Sequence, residues 1–196
     1  GLSRIEDIEA VNHSMPDYAG FVFAESRRRV EEEKAAVLRK HLDPGIEAVG
    51  VFVNEDADKI ATLYNDSVID IAQLHGDEDS DYIKRLKEGC GCRVIKAVAV
   101  GKVMPPIPKG PDHILFDTLS EERGGTGRMF DWHIIKGFDR TPYFLAGGLD
   151  PGNVQEAVRF LSPYCVDVSG GVETHGVKDP AKIDEFVSLV RRVENG

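Results

Sequence analysis

Residues 143–171, YFLAGGLDPGNVQEAVRFLSPYCVDVSGG, hold an apolar run, a Gly-Gly turn, a helical stretch and a second apolar run that enters another Gly-Gly. The runs Tyr143–Ala146 and Cys165–Val168 are short and rich in aromatic and β-branched residues, as strands are. Between them, Asn153–Leu161 sets Val154, Ala157, Val158 and Leu161 on one helical stripe. Two strands joined by a helix lie parallel, so this stretch places the chain in the α/β class.

The same alternation extends toward the N-terminus. His113–Asp117 reads as a strand, Arg93–Val100 as another, and Ser80–Lys87 as a helix ended by Gly89. Ile69–Leu74 and Glu47–Val53 are strands on either side of a helix over Asp56–Tyr64. Glu31–His41 is a helix expected to turn Ala35, Val37, Leu38 and Leu42 inward, and Tyr18–Ala24 precedes it as a strand. Ser3 and Glu6 suggest a capping box for a first helix over Arg4–Asn12. Pro180–Val193 closes the chain as an amphipathic helix, and a short helix starts at Asp131.

One crossover departs from the pattern. Gly101–Pro111 contains four prolines and two glycines, which predicts an irregular link. Seven strands and about eight crossovers result, opening and closing on a helix, so a first strand is expected ahead of Gly1. A barrel and an open doubly wound sheet share this alternation, and periodicity does not separate them.

With 41% apolar and 30% charged residues over 196 positions, residues 1–196 are expected to form a single domain around one core. The net charge of −10 argues against a nucleic-acid or anionic-membrane partner, so an anionic ligand must be held locally. The apolar runs are too short to cross a bilayer, and Lys96 interrupts the one over Val94–Val100. Cys90, Cys92 and Cys165 suit a reducing cytoplasm better than a disulfide framework, and they read as structural. No His or Cys spacing suggests zinc and no Gly-x-Gly-x-x-Gly follows a strand, so neither metal nor dinucleotide is expected.

The chemistry is expected just after strands. Gly147 and Gly148 follow one strand, and Gly170 and Gly171 follow the next after Ser169. Glycines there let backbone amides approach a phosphate closely, although each pair alone is also ordinary turn chemistry. Asp117 ends a strand, where a partly desolvated carboxyl can be raised in pKa to act as a general acid; capping the loop at Thr118 is the alternative. Gln73 and His75 share one pleat face at another strand end, with an ordinary loop histidine as the alternative for His75. Of Arg27, Arg28 and Arg29, one suits a carboxylate or phosphate and the others a solvated face. The glycine-rich loop Arg123–Arg128 suits a lid.

Taken in order, Gly1-Leu2-Ser3, Gly20-Phe21-Val22-Phe23, Gly50-Val51-Phe52-Val53-Asn54, Gln73-Leu74-His75-Gly76, Phe116-Asp117-Thr118, Gly124-Gly125-Thr126-Gly127, Phe130-Asp131-Trp132, Ala146-Gly147-Gly148-Leu149 and Asp167-Val168-Ser169-Gly170-Gly171-Val172-Glu173 resemble the phosphoribosylanthranilate isomerase family along nearly the whole chain. The resemblance implies a (β/α)8 TIM barrel and a cofactor-free Amadori rearrangement in tryptophan biosynthesis. It implies a small phosphorylated substrate, and a monomer or homodimer.

Asp117 matches the family's general acid. The general base is a cysteine in Lys-Ile-Cys, immediately before the Gly-Leu-Ser that opens this sequence, and Cys90, Cys92 and Cys165 do not match it. Arg28 matches the arginine that holds the anthranilate carboxylate, although Glu25-Ser26 stands one residue shorter than the family's Pro-Lys-Ser. Gly148, Ser169, Gly170 and Gly171 match the phosphate cradle, with Gly147 beside it, and Asp167 sits near the anthranilate amine; Gln73 and His75 line the pocket. Indole-glycerol-phosphate synthase and a histidine-pathway aminoaldose isomerase are rivals of the same architecture, and neither one's lysine or aspartate pattern occurs here. A phosphate-ligand-binding barrel without turnover is the rival of another class.

Overall fold

The computed structural model describes residues 1–119 and 129–194. The loop Arg123–Arg128, with its Gly124-Gly125-Thr126-Gly127 motif, lies outside the described residues. The strands β1 (Tyr18–Val22), β2 (Glu47–Phe52), β3 (Ile71–Leu74), β4 (Arg93–Val100), β5 (His113–Thr118), β6 (Tyr143–Leu145) and β7 (Cys165–Val166) follow one another in chain order. The chain divides into two compact units, residues 1–96 with 108–112, and residues 97–107 with 113–196.

In the first unit β1, β2 and β3 pair in parallel, with Gly20 opposite Val49 and Phe52 opposite Leu74. Every residue of β3 is buried, as expected of a parallel strand covered on both faces. Helices α1 (Ile5–Ser14), α2 (Glu32–His41), α3 (Ala57–Asn65) and α4 (Ser80–Cys90) alternate with these strands. Phe21, Phe52, Ile60, Leu74, Ile83 and Leu86 form a core in which Phe23 stacks on Phe52 at 5.0 Å. Each such side chain stabilises the fold by roughly 1.5–3 kcal/mol relative to exposure.

Three local expectations are corrected here. The first helix is capped through Asp7, not by Ser3 and Glu6: the buried Asp7 carboxylate accepts from the amides of Ser3 and Arg4 at 3.0 and 3.1 Å and pairs with the Arg4 guanidinium. A shorter acid one residue further on reaches both orphan amides, and the guanidinium offsets its burial. In α2, Ala35 and Leu38 are buried and Leu42 beyond it is too, but Val37 faces solvent at 50% exposure. Helix α4 runs through Gly89 and ends at Gly91, whose φ of 74° supplies the left-handed cap.

In the second unit β5, β6 and β7 pair in parallel, with Phe116 opposite Leu145 and Leu145 opposite Val166. Phe116 meets Phe138 and Tyr143 edge-on at 5.1 and 5.4 Å, and the Tyr143 hydroxyl donates to Leu161 O. Helices α5 (Val154–Leu161) and α6 (Pro180–Glu194) pack on one another. The stretch from Asp131 is a single 3-10 turn, Trp132–Ile134, started by the Asp131 carboxylate accepting from the His133 amide. Strand β7 stops at Val166, short of the expected Val168. A small antiparallel pair, β8 (Glu173–Thr174) and β9 (Val177–Lys178), was not foreseen; His175 and Gly176 both take positive φ at its two-residue turn.

The Pro-rich link is irregular, as read. Its second half is tied into the first unit, where Lys87 Nζ donates to Gly110 O and to Asp112. Among the described residues no helix is long and apolar enough to cross a membrane.

Candidate active site

Strand ends position the polar side chains in both units. In the second, Asp117 is the penultimate residue of β5, 9% exposed, and its Oδ1 accepts from the Thr118 amide at 2.7 Å. That bond is the loop-capping role considered above, and it fixes one carboxylate oxygen at the strand end.

Gly147 follows β6 with φ of 89°, and a Cβ there would stand 2.3 Å from Thr118 Oγ1 and 3.1 Å from Asp117 Oδ1. Only glycine lets the turn approach the β5 end so closely. Gly148 also has positive φ, and its carbonyl accepts from Asn153 Nδ2 at 2.9 Å, while Asn153 Oδ1 accepts from the Asp150 amide. Asn153 thus folds the turn back on the start of α5.

The loop after β7 lies against this turn. A Cβ on Gly171 would come within 2.0 Å of Leu149 O and 2.9 Å of the Asp150 Cα, so the two Gly-Gly turns are in contact within the unit. The Asp167 amide donates to Leu145 O at 2.8 Å, and its side chain is exposed. Ser169 precedes a 3-10 turn over Gly170–Val172, and Ser169 O accepts from Lys178 Nζ at 2.7 Å. Lys178 also pairs with Glu173 at 3.1 Å, both side chains 6% exposed.

In the first unit Gln73 and His75 are brought together, with Gln73 Nε2 3.3 Å from His75 Nδ1. The His75 amide donates to Phe52 O. Lys96 reaches the same loop: its Nζ donates to Leu74 O, Gly76 O and Glu78 Oε2 at 3.1, 2.8 and 3.1 Å. Arg28 is half-buried beside the chain start, its Cβ 3.6 Å from where a Cβ on Gly1 would lie, and the Leu2 amide donates to Gly20 O of β1. Arg29 is ion-paired to Glu25 and Glu31, and Arg27 is exposed.

The cysteines lie elsewhere. Cys92 is fully buried, and burial, with a hydrogen bond to Cys90, pushes its thiol up to about 12, which leaves it inert as a base near neutral pH. Among the described residues no three His, Cys, Asp or Glu side chains converge to hold a metal ion.

Sequence reasoning missed the two lysine–glutamate pairs. Lys96 carried the clearer signal, a single charge inside an otherwise apolar strand, where a lysine must be paired or excluded. Lys178 sits in a polar stretch whose hairpin was not foreseen.

This fold is that of solved (β/α)8-barrel enzymes, a class that builds its chemistry on the loops after its strands. A structure of phosphoribosyl anthranilate isomerase from Thermotoga maritima matches with a TM-score of 0.84 and 34% identity, over 97% of this chain and 96% of that one. Another solved isomerase, in complex with reduced 1-(o-carboxyphenylamino)-1-deoxyribulose 5-phosphate, matches with a TM-score of 0.81 and 32% identity, over 97% and 95%. The family model for N-(5'-phosphoribosyl)anthranilate (PRA) isomerase matches residues 1–189. The N-(5'-phosphoribosyl)anthranilate isomerase of Endomicrobium trichonymphae is 51% identical, over 97% of this chain and 96% of its own. The chain belongs to the phosphoribosylanthranilate isomerase family.

Proposed function

We propose that this chain converts N-(5'-phosphoribosyl)anthranilate to 1-(2-carboxyphenylamino)-1-deoxyribulose 5-phosphate, a step of tryptophan biosynthesis, and that residues 1–196 act as one catalytic domain. Asp117 gives its proton to the ribose ring oxygen as the C1′–O bond breaks, and the nitrogen lone pair forms a Schiff base. A base then removes the C2′ proton, and the enolamine that results tautomerises to the aminoketose. In the family's pattern that base is a cysteine immediately ahead of Gly1, and Gly1 lies on the edge of β1 against Val22 and Arg28.

The phosphate is held by the backbone of Gly147, Gly148, Ser169, Gly170 and Gly171, where amides without side chains approach an anion closely. Arg28 takes the anthranilate carboxylate with its planar fork, Gln73 and His75 line the ring site, and Asp167 receives the anthranilate amine. The reaction itself needs no cofactor or metal, and a reducing cytoplasm suits the three free thiols.

One observation carries this reading. Gly147 stands within van der Waals reach of both the Asp117 carboxylate and Thr118, so the acid and the glycine turn adjoin within one unit. The test follows the loss of anthranilate-type fluorescence as substrate is consumed, using the chain preceded by Lys-Ile-Cys and the same chain with Asp117→Asn. Turnover is expected from the first, with a loss of about 10²–10⁴-fold in the second. A folded first protein that neither converts nor binds the substrate would overturn the proposal.

A further inference from the structure

The loop after β3 contains an ion pair that the reaction above does not use. Lys96 lies in β4 opposite Leu74, among the buried Val94, Ile95 and Ala97. Its side chain is 6% exposed and that of its partner Glu78 is 1% exposed. A buried pair of this kind adds little stability over well-packed apolar residues, because desolvation cancels most of the attraction. Its retention here calls for another role, and its hydrogen bonds indicate one.

An ammonium has three donors, and those of Lys96 go to Leu74 O, Gly76 O and Glu78 Oε2. Glu78 in turn accepts the Gly76 amide at 2.9 Å through Oε2 and the Asn54 amide at 2.7 Å through Oε1. The His75 amide is held by Phe52 O at 2.7 Å. The carbonyl before His75, its own amide, and both backbone groups of the residue after it are therefore tied down, all four by bonds to two charged groups or to β2. The loop has no room to slip, since a Cβ on Gly76 would stand 2.4 Å from Asn54 Oδ1.

The held backbone sets the ring. The Gln73 side-chain nitrogen and His75 Nδ1 stand 3.3 Å apart, so the ring is braced from its own strand as well.

We propose that Lys96 and Glu78 are the positioning pair of this site, fixing the peptides on both sides of His75 so that its ring is presented in one direction to the bound ligand. The inference rests on the reading of His75 as a ligand-facing residue.

Three variants test it: Lys96→Arg, Glu78→Gln, and the double variant Lys96→Met with Glu78→Gln, which removes both charges and so avoids stranding one. Each is checked for folding by circular dichroism, then titrated with reduced 1-(o-carboxyphenylamino)-1-deoxyribulose 5-phosphate and, separately, with inorganic phosphate. The His75 ring nitrogens are followed by ¹⁵N-resolved NMR. Folded double variant is expected to bind the product analogue roughly tenfold or more weakly, the loss of a hydrogen bond to a charged group. Phosphate binding is expected to stay unchanged, and the His75 ring-nitrogen resonances to shift. Lys96→Arg, which keeps the charge but not the shape, falls between.

A folded double variant with wild-type analogue affinity and an unaltered His75 spectrum overturns the positioning role while leaving the isomerase reading intact. A wild-type chain that fails to bind the analogue overturns the isomerase reading, and this inference with it.

Discussion

The two units secure their strand-end loops by different means. In the first, the loop after β3 is held by charge: Lys96 and Glu78 reach backbone groups of Leu74, Gly76 and Asn54 from a buried position. In the second, the turns after β6 and β7 are held by backbone meeting backbone, which Gly147 and Gly171 permit. A charged clamp adds to this, Lys178 pairing with Glu173 and donating to Ser169 O. The first arrangement suits a side-chain ligand group such as His75, which needs a fixed Cα. The second suits an anion bound by amides, where any side chain would occupy the ligand's own space.

The comparison breaks first at Lys178. Lys178→Met leaves Glu173 buried without its cation, and the expected cost is about 3–5 kcal/mol in urea unfolding. A loss below about 1 kcal/mol would mean that charge plays no part in holding the second unit's loop. Smaller effects follow at the glycines. Gly171→Ala forces a methyl into Leu149 O and is expected to cost about 1–3 kcal/mol, with inorganic phosphate binding lost alongside. Wild-type stability and phosphate affinity in that variant would show that the close approach of the turns is dispensable.

The smallest effect concerns Cys92, which immediately precedes β4. Its folded thiol is raised from 9.0 to about 12, so the native state favours the protonated form more than the unfolded chain does. The stabilisation is complete below the unfolded pKa and is lost as pH rises from about 9 toward about 12. Unfolding midpoints measured across that window are expected to fall more for the wild type than for Cys92→Ala. In native protein a disulfide reagent at neutral pH is expected to reach the half-buried Cys90 and Cys165 before Cys92.

Much of this was legible in the sequence because parallel strands and crossover helices leave periodic traces. The stripe Val154, Ala157 of α5 and the run Ile69–Leu74, apolar but for Asp70 and Gln73, need no tertiary information, since burial on one face or on both dictates composition directly. Asp117, Gln73, His75 and the glycine pairs were legible for a related reason: a polar residue or a glycine ending an apolar run stands where a strand meets its loop. Failures occurred where a choice depends on a neighbour distant in sequence. Val37 fits the helical stripe of α2, but the packing of that helix leaves it in solvent. The β8–β9 pair hides in Glu173–Lys178 because two-residue strands have no period to detect.

The sequence by itself determined the α/β class, the order of the seven parallel strands and their crossover helices, and the family, because these depend on local pattern and on motifs read in chain order. Tertiary structure alone decided that Lys96 meets Glu78 beneath His75, that Gly147 abuts Asp117, and that Lys178 grasps Ser169 O. Each joins residues on separate elements, and the free energy of such a contact depends on burial and hydrogen-bond geometry that exist only once the elements have packed.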